Sequence, residues 1–295
     1  MGEANSFITK NTPLNSFGRL EQAMYHNKKH KPENPPPKAA NYIDAHIHLA
    51  DPGYAGKVDE VVQDATQHNV SQILSNATDY QSSLDTINLA KKFPQQVLAA
   101  VGVHPSTVVG CENLHLEEFE KMIDVNREWV TAIGEIGLDG KYTQDEQIKA
   151  KEREVFRFFL GLAEERSLPV AVHSRQAISE TLDSLRDFRL PGVLLHWYDG
   201  PTENLSHFKD RGYMISIGPA LLYSRRIAEI ARTIEANLIL TETDGPVNYR
   251  GIFANELTKP RFVVEVVRKL VEVRGSTDGV MRSTIFSNFQ RFLSV

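Results

Sequence analysis

The chain has very little cysteine, no long apolar run and no excess of positive charge. Its 295 residues include a single cysteine, Cys111, which excludes an intrachain disulfide and favours a reducing compartment. No apolar run reaches the roughly 18 residues of a transmembrane helix. The first thirty residues lack the apolar core of a secretory signal. We therefore expect a cytoplasmic protein that does not associate with membranes.

The charge balance limits the kinds of partner. The formal net charge is −5, so the molecule as a whole has no attraction for polyanions. Contact with nucleic acid would need local positive charge or bound cations. A hydrophobic fraction of 41% and a charged fraction of 24% are ordinary for a globular protein with a sizeable core.

The N-terminal segment differs from the rest of the chain. Residues 1–39 are polar and end in a proline triplet, which favours an extended connector. A few apolar residues within it recur at helical spacing, so a short helix and a loosely packed extension are both open alternatives. We predict an N-terminal extension over 1–39 and one domain over 40–295.

Strand-like and helical patterns alternate from residue 41 onward. The gaps between the strand-like runs are long enough for a helix in each unit, which predicts an α/β protein with a (β/α)8 TIM barrel. A doubly wound open sheet is the competing fold. The runs begin near Ile43, Gln72, Val97, Val130, Pro169, Val193, Tyr213 and Asn237. The predicted helices span 58–68, 84–92, 116–126, 146–166, 178–185, 227–235, 260–274 and 286–293.

Six residues of types that commonly bind metals lie where the strand-like runs end. They are His46, His48, Glu135, His173, His196 and Asp244. Parallel barrels build their active sites at the carboxyl ends of strands, and six donors spread over five strands favour a closed barrel. Imidazole and carboxylate together suit a divalent metal.

The first two histidines share one face of a strand. His46 and His48 are two residues apart, so both imidazoles project to the same side and can hold one ion. Taken alone, this pair could be ordinary strand residues. His173 and His196 could each be a hydrogen-bonded core histidine, but two at successive strand ends favour a joint role.

The carboxylates have distinct expected roles. Glu135 follows Gly134 and is costly to bury unless it is paired or bound to metal. Its two oxygens can bridge two cations, and a structural ion pair is the alternative. Asp244 is assigned to a metal and Glu242, two residues earlier and deeper in the strand, to a supporting role.

The six residues together fit a binuclear centre. Two divalent ions would contribute about +4, against about −3 from two carboxylates and a hydroxide, leaving a positive site suited to an anionic phosphate. At the site itself, this local positive charge can outweigh the more distant net charge of −5.

Several strings in the sequence resemble the TatD family of metal-dependent deoxyribonucleases, which are TIM barrels of the amidohydrolase superfamily. The resemblance runs from about residue 41 to 294. The strings are Asp44-Ala45-His46-Ile47-His48, Gly102-Val103-His104-Pro105, Gly134-Glu135-Ile136-Gly137-Leu138-Asp139, Pro169 to His173 with Arg175, and Thr241-Glu242-Thr243-Asp244-Gly245-Pro246. The resemblance implies that all six residues hold metal. It also places His104 near the substrate.

Two features depart from the family pattern. Trp197 and Tyr198 follow His196, where the family often has cysteine and an aromatic residue, and the extension over 1–39 is unusual. Both bear on the shape of the cleft. At strand four, Glu135 replaces the carboxylated lysine of phosphotriesterase-like and dihydroorotase-like relatives.

Three functional hypotheses follow. The first is hydrolysis of DNA or a nucleotide, with Asp244 and Glu135 as catalytic residues and with His104 and Arg175 contacting the phosphate. The cofactors would be two divalent ions, with Mg, Mn and Zn all open. The second is hydrolysis of a small amide, lactone or phosphoester on the same site. The third is a binding protein that has lost catalysis.

Overall fold

The computed structural model describes residues 41–111 and 114–293. The predicted N-terminal extension over 1–39 lies outside the described residues, so its structure and the domain boundary stay predictions. Within the described part of the chain, no helix is long and apolar enough to cross a membrane.

Eight parallel strands form one sheet in which each strand pairs with its neighbour in sequence. This order with helices between the strands confirms the predicted (β/α)8 barrel. The strands are β1 (Tyr42–Ile47), β2 (Val70–Asn76), β3 (Val97–Val101), β4 (Val130–Gly137), β5 (Val170–His173), β6 (Val193–Leu195), β7 (Met214–Ile217) and β8 (Ile239–Thr241).

Hydrogen bonds just beyond β8 bring the last strand to the first. The Asp244 amide donates to the His46 carbonyl at 2.8 Å, and the His48 amide donates to the Gly245 carbonyl at 2.9 Å. The chain segments that carry three of the predicted metal ligands are therefore fastened to one another by the backbone itself.

Ten α-helices occur in the described residues, together with several short 3-10 turns. They are α1 (Val58–Gln67), α2 (Tyr80–Lys92), α3 (Pro105–Gly110), α4 (Leu116–Val125), α5 (Glu146–Glu165), α6 (Ile178–Leu185), α7 (Asn204–Arg211), α8 (Arg225–Thr233), α9 (Val263–Arg274) and α10 (Asp278–Leu293). Two of them, α3 and α7, were not predicted from the sequence.

The longest helix shows how local sequence sets an element. The Asp145 carboxylate accepts hydrogen bonds from the amides of Gln147 and Ile148, which caps the start of α5. Its buried face includes Phe156 and Phe159, which pack into the main core. Burying each such ring stabilises the fold by roughly 1.5–3 kcal/mol, so this face anchors α5 against the barrel.

The strands are buried along nearly their whole length, because helices cover the outside of the barrel and side chains fill the inside. In β4 every residue from Ala132 to Gly137 is buried. Gly137 has φ +148°, and a Cβ there would lie 2.0 Å from the His173 carbonyl oxygen. A glycine is therefore required where β4 and β5 meet beside the site.

The buried acid Glu152 on α5 gives the fold a pH dependence. It is 3% exposed. Burial raises the pKa of Glu152 to about 7, against the lowering effect of a hydrogen bond from the Asp139 backbone. In the unfolded chain, the Glu152 carboxyl group loses its proton near pH 4.5. The stability that protonated Glu152 contributes to the fold is therefore fully present below that pH and is lost as the pH rises through about 7.

We expect Glu152→Gln to raise the free energy of unfolding of the metal-free protein by about 1–3 kcal/mol at pH 8 and to change it little at pH 4.5. Urea denaturation at the two pH values measures this difference. The control is Glu154→Gln, an exposed position on the same helix. An equal effect of Glu152→Gln at both pH values would contradict the account.

Candidate metal centre

The strand ends bring all six predicted ligands to one end of the barrel. His46 lies in β1 and His48 follows it directly. Glu135 lies two residues before the end of β4, and His173 is the last residue of β5. His196 directly follows β6, and Asp244 comes three residues after β8. Their ligand roles are taken up below as a proposal.

Glu135 stands between two groups of histidines. Its Oε2 atom lies 3.4 Å from His46 Nε2 and 3.3 Å from His48 Nε2. Its Oε1 atom lies 2.8 Å from His173 Nδ1 and 2.7 Å from His196 Nε2. Each carboxylate oxygen therefore faces a different pair of imidazoles, which is the arrangement that a bridging ligand needs.

Asp244 completes the first group. Its Oδ1 atom lies 3.4 Å from His48 Nε2 and 3.7 Å from His46 Nε2. Ligand bonds of about 2.0–2.2 Å to one ion keep neighbouring donor atoms roughly 3.0–3.6 Å apart. The donors of His46, His48, Glu135 and Asp244 have nearly this spacing. In the second group, His173 Nδ1 and His196 Nε2 are 3.3 Å apart.

His46 supplies a direct test of whether a metal fits. It is fully buried, and neither ring nitrogen has a hydrogen-bond partner among the described residues. Its ring stacks on His196 with centroids 3.9 Å apart. A buried imidazole with unpaired nitrogens is costly, and an ion beside Nε2 would remove the part of that cost that arises at Nε2. The donor set therefore fits a divalent metal.

Hydrogen bonds behind the ligands fix which nitrogen faces the cavity. His48 Nδ1 lies 2.9 Å from the Asn76 carbonyl oxygen, and His173 Nε2 lies 2.7 Å from Asp139 Oδ2. Each contact can take the N–H of a neutral ring, so that once the ring gives up its second proton the other nitrogen offers a lone pair to a metal. Contacts of this kind orient metal-binding histidines.

Asp139 is a functional residue that sequence reasoning did not assign. Besides His173, it accepts hydrogen bonds from Arg175 Nε at 2.7 Å and from the Lys141 amide at 2.7 Å. The hydrogen bonds from His173, Lys141 and Arg175 lower the pKa of Asp139 to about 2, although burial opposes this. Its place four residues after Glu135, at the exit of β4, was the available signal.

Asp44 is a second unassigned residue. It is fully buried and accepts hydrogen bonds from the Thr243 amide at 3.0 Å and the Thr243 hydroxyl at 2.6 Å. These bonds hold the segment that carries Asp244 against β1. Burial raises the pKa of Asp44 well above its usual range.

The backbone at Asp244 is held in the left-handed region, with φ +48°. Aspartate tolerates this region better than most residues, yet such positions cluster at functional sites because surrounding contacts must enforce them. Glu242 is fully buried and its Oε2 atom is 3.6 Å from His196 Nδ1. It therefore lies behind His196, on the side away from Glu135.

The two carboxylates of the site are anions. Burial disfavours ionisation of Glu135, but interactions with the surrounding imidazoles, His196 first among them, and a hydrogen bond from His173 together outweigh it and hold its pKa well below the usual range. For Asp244, the hydrogen bond from His48 and the interactions with nearby imidazoles together outweigh burial and lower the pKa. A buried anion needs compensating charge, which protonated imidazoles or bound cations supply.

The imidazoles divide according to their contact with these anions. Burial by itself acts to lower the pKa of each of these imidazoles. For His48, contacts with Asp244 and Glu135 outweigh burial and raise the pKa to about 10. Contacts with carboxylates also raise the pKa of His173 and His196. For His46, burial dominates and lowers the pKa.

His104 lies beside the candidate metal donors. Its Nε2 atom is 3.6 Å from Glu135 Oε1, and its Nδ1 atom is 2.6 Å from the Ser106 hydroxyl. Burial lowers its pKa to about 4, so the ring is neutral near pH 7. With His173 and Glu135 it forms a third potential ligand group. Its predicted contact with substrate stays a prediction.

Arg175 reaches the same region from the β5 end. Besides binding Asp139, its guanidinium lies over the Tyr142 ring, 4.6 Å from the centroid. Its side chain is 37% exposed, so the cation borders the open side of the site. Its predicted role in binding substrate stays a prediction.

A cavity of about 330 Å³ opens beside the metal donors. This volume lies within the range of small-molecule sites. The lining residues are His173, Ser174, Arg175, His196, Trp197, Asp199, Asp244 and Val247.

The fold and this group of buried donors define a class. Metal-dependent hydrolases use such an arrangement of histidines and carboxylates at the carboxyl ends of the strands of a (β/α)8 barrel, and this chain is one of them.

Comparison with known proteins identifies the family. The family model for TatD related DNase matches residues 43–294. An uncharacterised metal-dependent hydrolase of Methanocaldococcus jannaschii is 29% identical over 251 residues, covering 85% of this chain and 96% of that protein. A 3'-5' ssDNA/RNA exonuclease TatD of Pectobacterium carotovorum is 28% identical over 258 residues, covering 84% and 98%. The crystal structure of the Escherichia coli TatD homologue YjjV has a TM-score of 0.80 and 25% identity, covering 86% and 98%. The chain belongs to the TatD family, as its motifs predicted.

Replacing Asp139 tests the orientation of His173. We expect Asp139→Asn to weaken metal binding by about 10–100-fold. Asp139 accepts with Oδ2 from His173 and with Oδ1 from the Lys141 amide, whereas asparagine is uncharged and keeps only one acceptor oxygen. Competition with a metal-sensitive dye measures the affinity. The control is Asp187→Asn, which breaks an exposed ion pair with Arg157. Unchanged affinity in a folded Asp139→Asn protein would show that this contact does not orient the ligand.

Metal removal tests the fit of the donor set by stability. We expect Mn²⁺ or Zn²⁺ at about a thousand times its dissociation constant to stabilise the fold by roughly 4 kcal/mol relative to protein in chelator. For a chain of this size the melting temperature should rise by several degrees, about 2–4 °C per kcal/mol. Glu135→Gln should shrink this rise. Equal melting temperatures with and without metal would contradict the metal site.

Proposed function

We propose that this protein hydrolyses phosphodiester bonds of nucleic acid, with DNA as a substrate, through two divalent ions held on either side of Glu135. One observation carries the proposal: the two oxygens of Glu135 face separate groups of imidazole donors. A carboxylate that serves one ion, or a structural ion pair, would not need a second group.

The distances divide the candidate donors into two sets, one for each ion. His46, His48 and Asp244 would hold one ion, and His173 and His196 the other, with Glu135 shared between them. Four nitrogen donors with two carboxylates favour Mn or Zn over Mg, which prefers oxygen ligands.

Bound divalent ions supply an activated water near neutral pH and neutralise charge on a phosphate. Asp244 would be the proton acceptor, since its pKa is lowered and the residue is still 8% exposed. His104 borders the second group, and Arg175 borders the open side of the cavity, where each can contact phosphate oxygens.

The substrate class is supported by chemistry and by relatives. A centre with excess positive charge suits phosphate, and at the site this local charge can outweigh the more distant net charge of −5. The Pectobacterium relative is named as an exonuclease of single-stranded DNA and RNA, and a human relative as a deoxyribonuclease.

A second candidate is hydrolysis of a small amide, lactone or phosphoester. The cavity of about 330 Å³ favours a compact ligand and is the observation that keeps this alternative. Turnover of a single-stranded oligonucleotide, a simple phosphodiester and a lactone, each with the same metal, separates the two. The third hypothesis, a binding protein that has lost catalysis, is disfavoured because all six candidate donor residues converge.

Changing the bridging residue tests the proposal. Glu135→Gln keeps the shape of the side chain but removes its charge. We expect it to lower the rate of cleavage of a single-stranded oligonucleotide by more than about 100-fold, which exceeds the effect of losing a residue that only contacts a metal ligand. Release of labelled nucleotides with Mg²⁺ or Mn²⁺ gives the rate. Glu154→Gln, on the exposed face of α5, is the matched control. Full activity in Glu135→Gln would end the bridging role.

A further inference from the structure

Trp197 places a large aromatic side chain directly beside the candidate metal centre. It follows His196 and lines the same cavity as Arg175 and Asp244. The proposed metal chemistry gives it no role.

The indole is held in place from two sides. Its backbone has φ +40°, a region that bulky residues rarely occupy, and its amide donates to the Ser216 hydroxyl at 3.2 Å. Its ring lies nearly parallel to that of Tyr249, at an interplanar angle of 21° with centroids 5.7 Å apart. Backbone strain that surrounding contacts enforce is typical of functional positions.

Tyr249 acts as a fixed support and not as a contact surface. It is 5% exposed, and its hydroxyl donates to the Thr243 carbonyl at 2.6 Å. Thr243 precedes Asp244 and is itself bound to Asp44. The aromatic pair is thus joined through short contacts to the segment that carries a candidate metal ligand.

The same cavity also contains a cationic group and a second apolar surface. Arg175 contributes a guanidinium, and Val247, 38% exposed, contributes an apolar surface. A ligand with a planar ring joined to an anionic group would match this lining, because the ring can stack on indole while the anion meets the cation and the metal centre. A nucleotide has both parts.

We propose that Trp197 is a stacking platform for a nucleobase of the substrate, and so a specificity-determining residue. The proposal rests on the proposed function and adds base recognition to it. A base within a duplex is already stacked on its neighbours, whereas an unpaired base can offer its face to an aromatic side chain. The site should therefore prefer single-stranded nucleic acid or free nucleotides over duplex.

Tryptophan fluorescence tests stacking without any turnover. The chain has two tryptophans, and Trp129 lies just before β4, at the end of that strand away from Glu135. In a Trp129→Phe protein, Trp197 is the only tryptophan. Deoxyadenosine monophosphate should quench its emission saturably in Zn²⁺-loaded protein, and deoxyribose 5-phosphate, which lacks the base, should not.

Steady-state kinetics test the consequence for the substrate. The substrates are a dinucleotide and an analogue in which tetrahydrofuran replaces both base-bearing sugars. Stacking of one base should give the normal dinucleotide an advantage on the order of ten-fold in kcat/KM, mostly through KM. Trp197→Leu should abolish this advantage, Trp197→Phe should retain part of it, and Trp129→Phe should retain all of it.

The outcomes separate this proposal from the one on which it rests. Base-dependent quenching together with loss of base preference in Trp197→Leu supports stacking. If deoxyadenosine monophosphate inhibits cleavage but leaves Trp197 emission unchanged, or if a folded Trp197→Leu protein keeps its base preference, stacking is overturned while the nuclease function stands. If the wild-type protein cleaves no nucleic acid, the function fails, and an absence of quenching in the same protein overturns stacking as well.

Discussion

The structure of the site depends on one buried carboxylate. Glu135 is almost fully buried at the end of a central strand, and a charge in that position is stable only if positive partners surround it. The barrel supplies these partners as four imidazoles from three other strands, two facing each oxygen. Without bound ions, protons on some of the imidazoles balance the charge, and ions that bind there would take over that balance. The same electrostatic demand thus positions the histidines and prepares them for metal.

The fold answers this demand by making the strand ends rigid. Backbone hydrogen bonds join His46 and His48 to the segment after β8, and Asp44 fastens Thr243 to β1. Asp139 holds the His173 ring from behind. Donors that must lie within a few tenths of an ångström of their ideal spacing are therefore fixed by contacts outside the site itself. The open part of the site is bordered instead by Arg175 and Trp197, where a substrate has room to bind.

Much of the fold was visible in the sequence, because period and spacing carry it. All eight strands begin within two residues of their predicted starts, and α6 spans 178–185 as predicted. Helix α2 begins four residues earlier than predicted, because Asp79 caps it with a box that includes Ser82. Helix α3 was missed because it has only six residues, and α7 because its buried face consists of only Leu205 and Phe208, too few to show a period. The six donors were predictable as residues at strand ends. The roles of Asp44 and Asp139 were not, since they depend on which side chains meet across the barrel, and the sequence does not state such pairings.

The most direct test of the account is a crystal structure of Mn²⁺-loaded protein with anomalous scattering data. The account predicts two strong anomalous peaks per chain, one bonded to Glu135 Oε2 together with His46, His48 and Asp244, and one bonded to Glu135 Oε1 together with His173 and His196. A single peak would contradict the bridging role of Glu135. No peak among these side chains, under conditions in which the protein is folded, would contradict the metal centre itself.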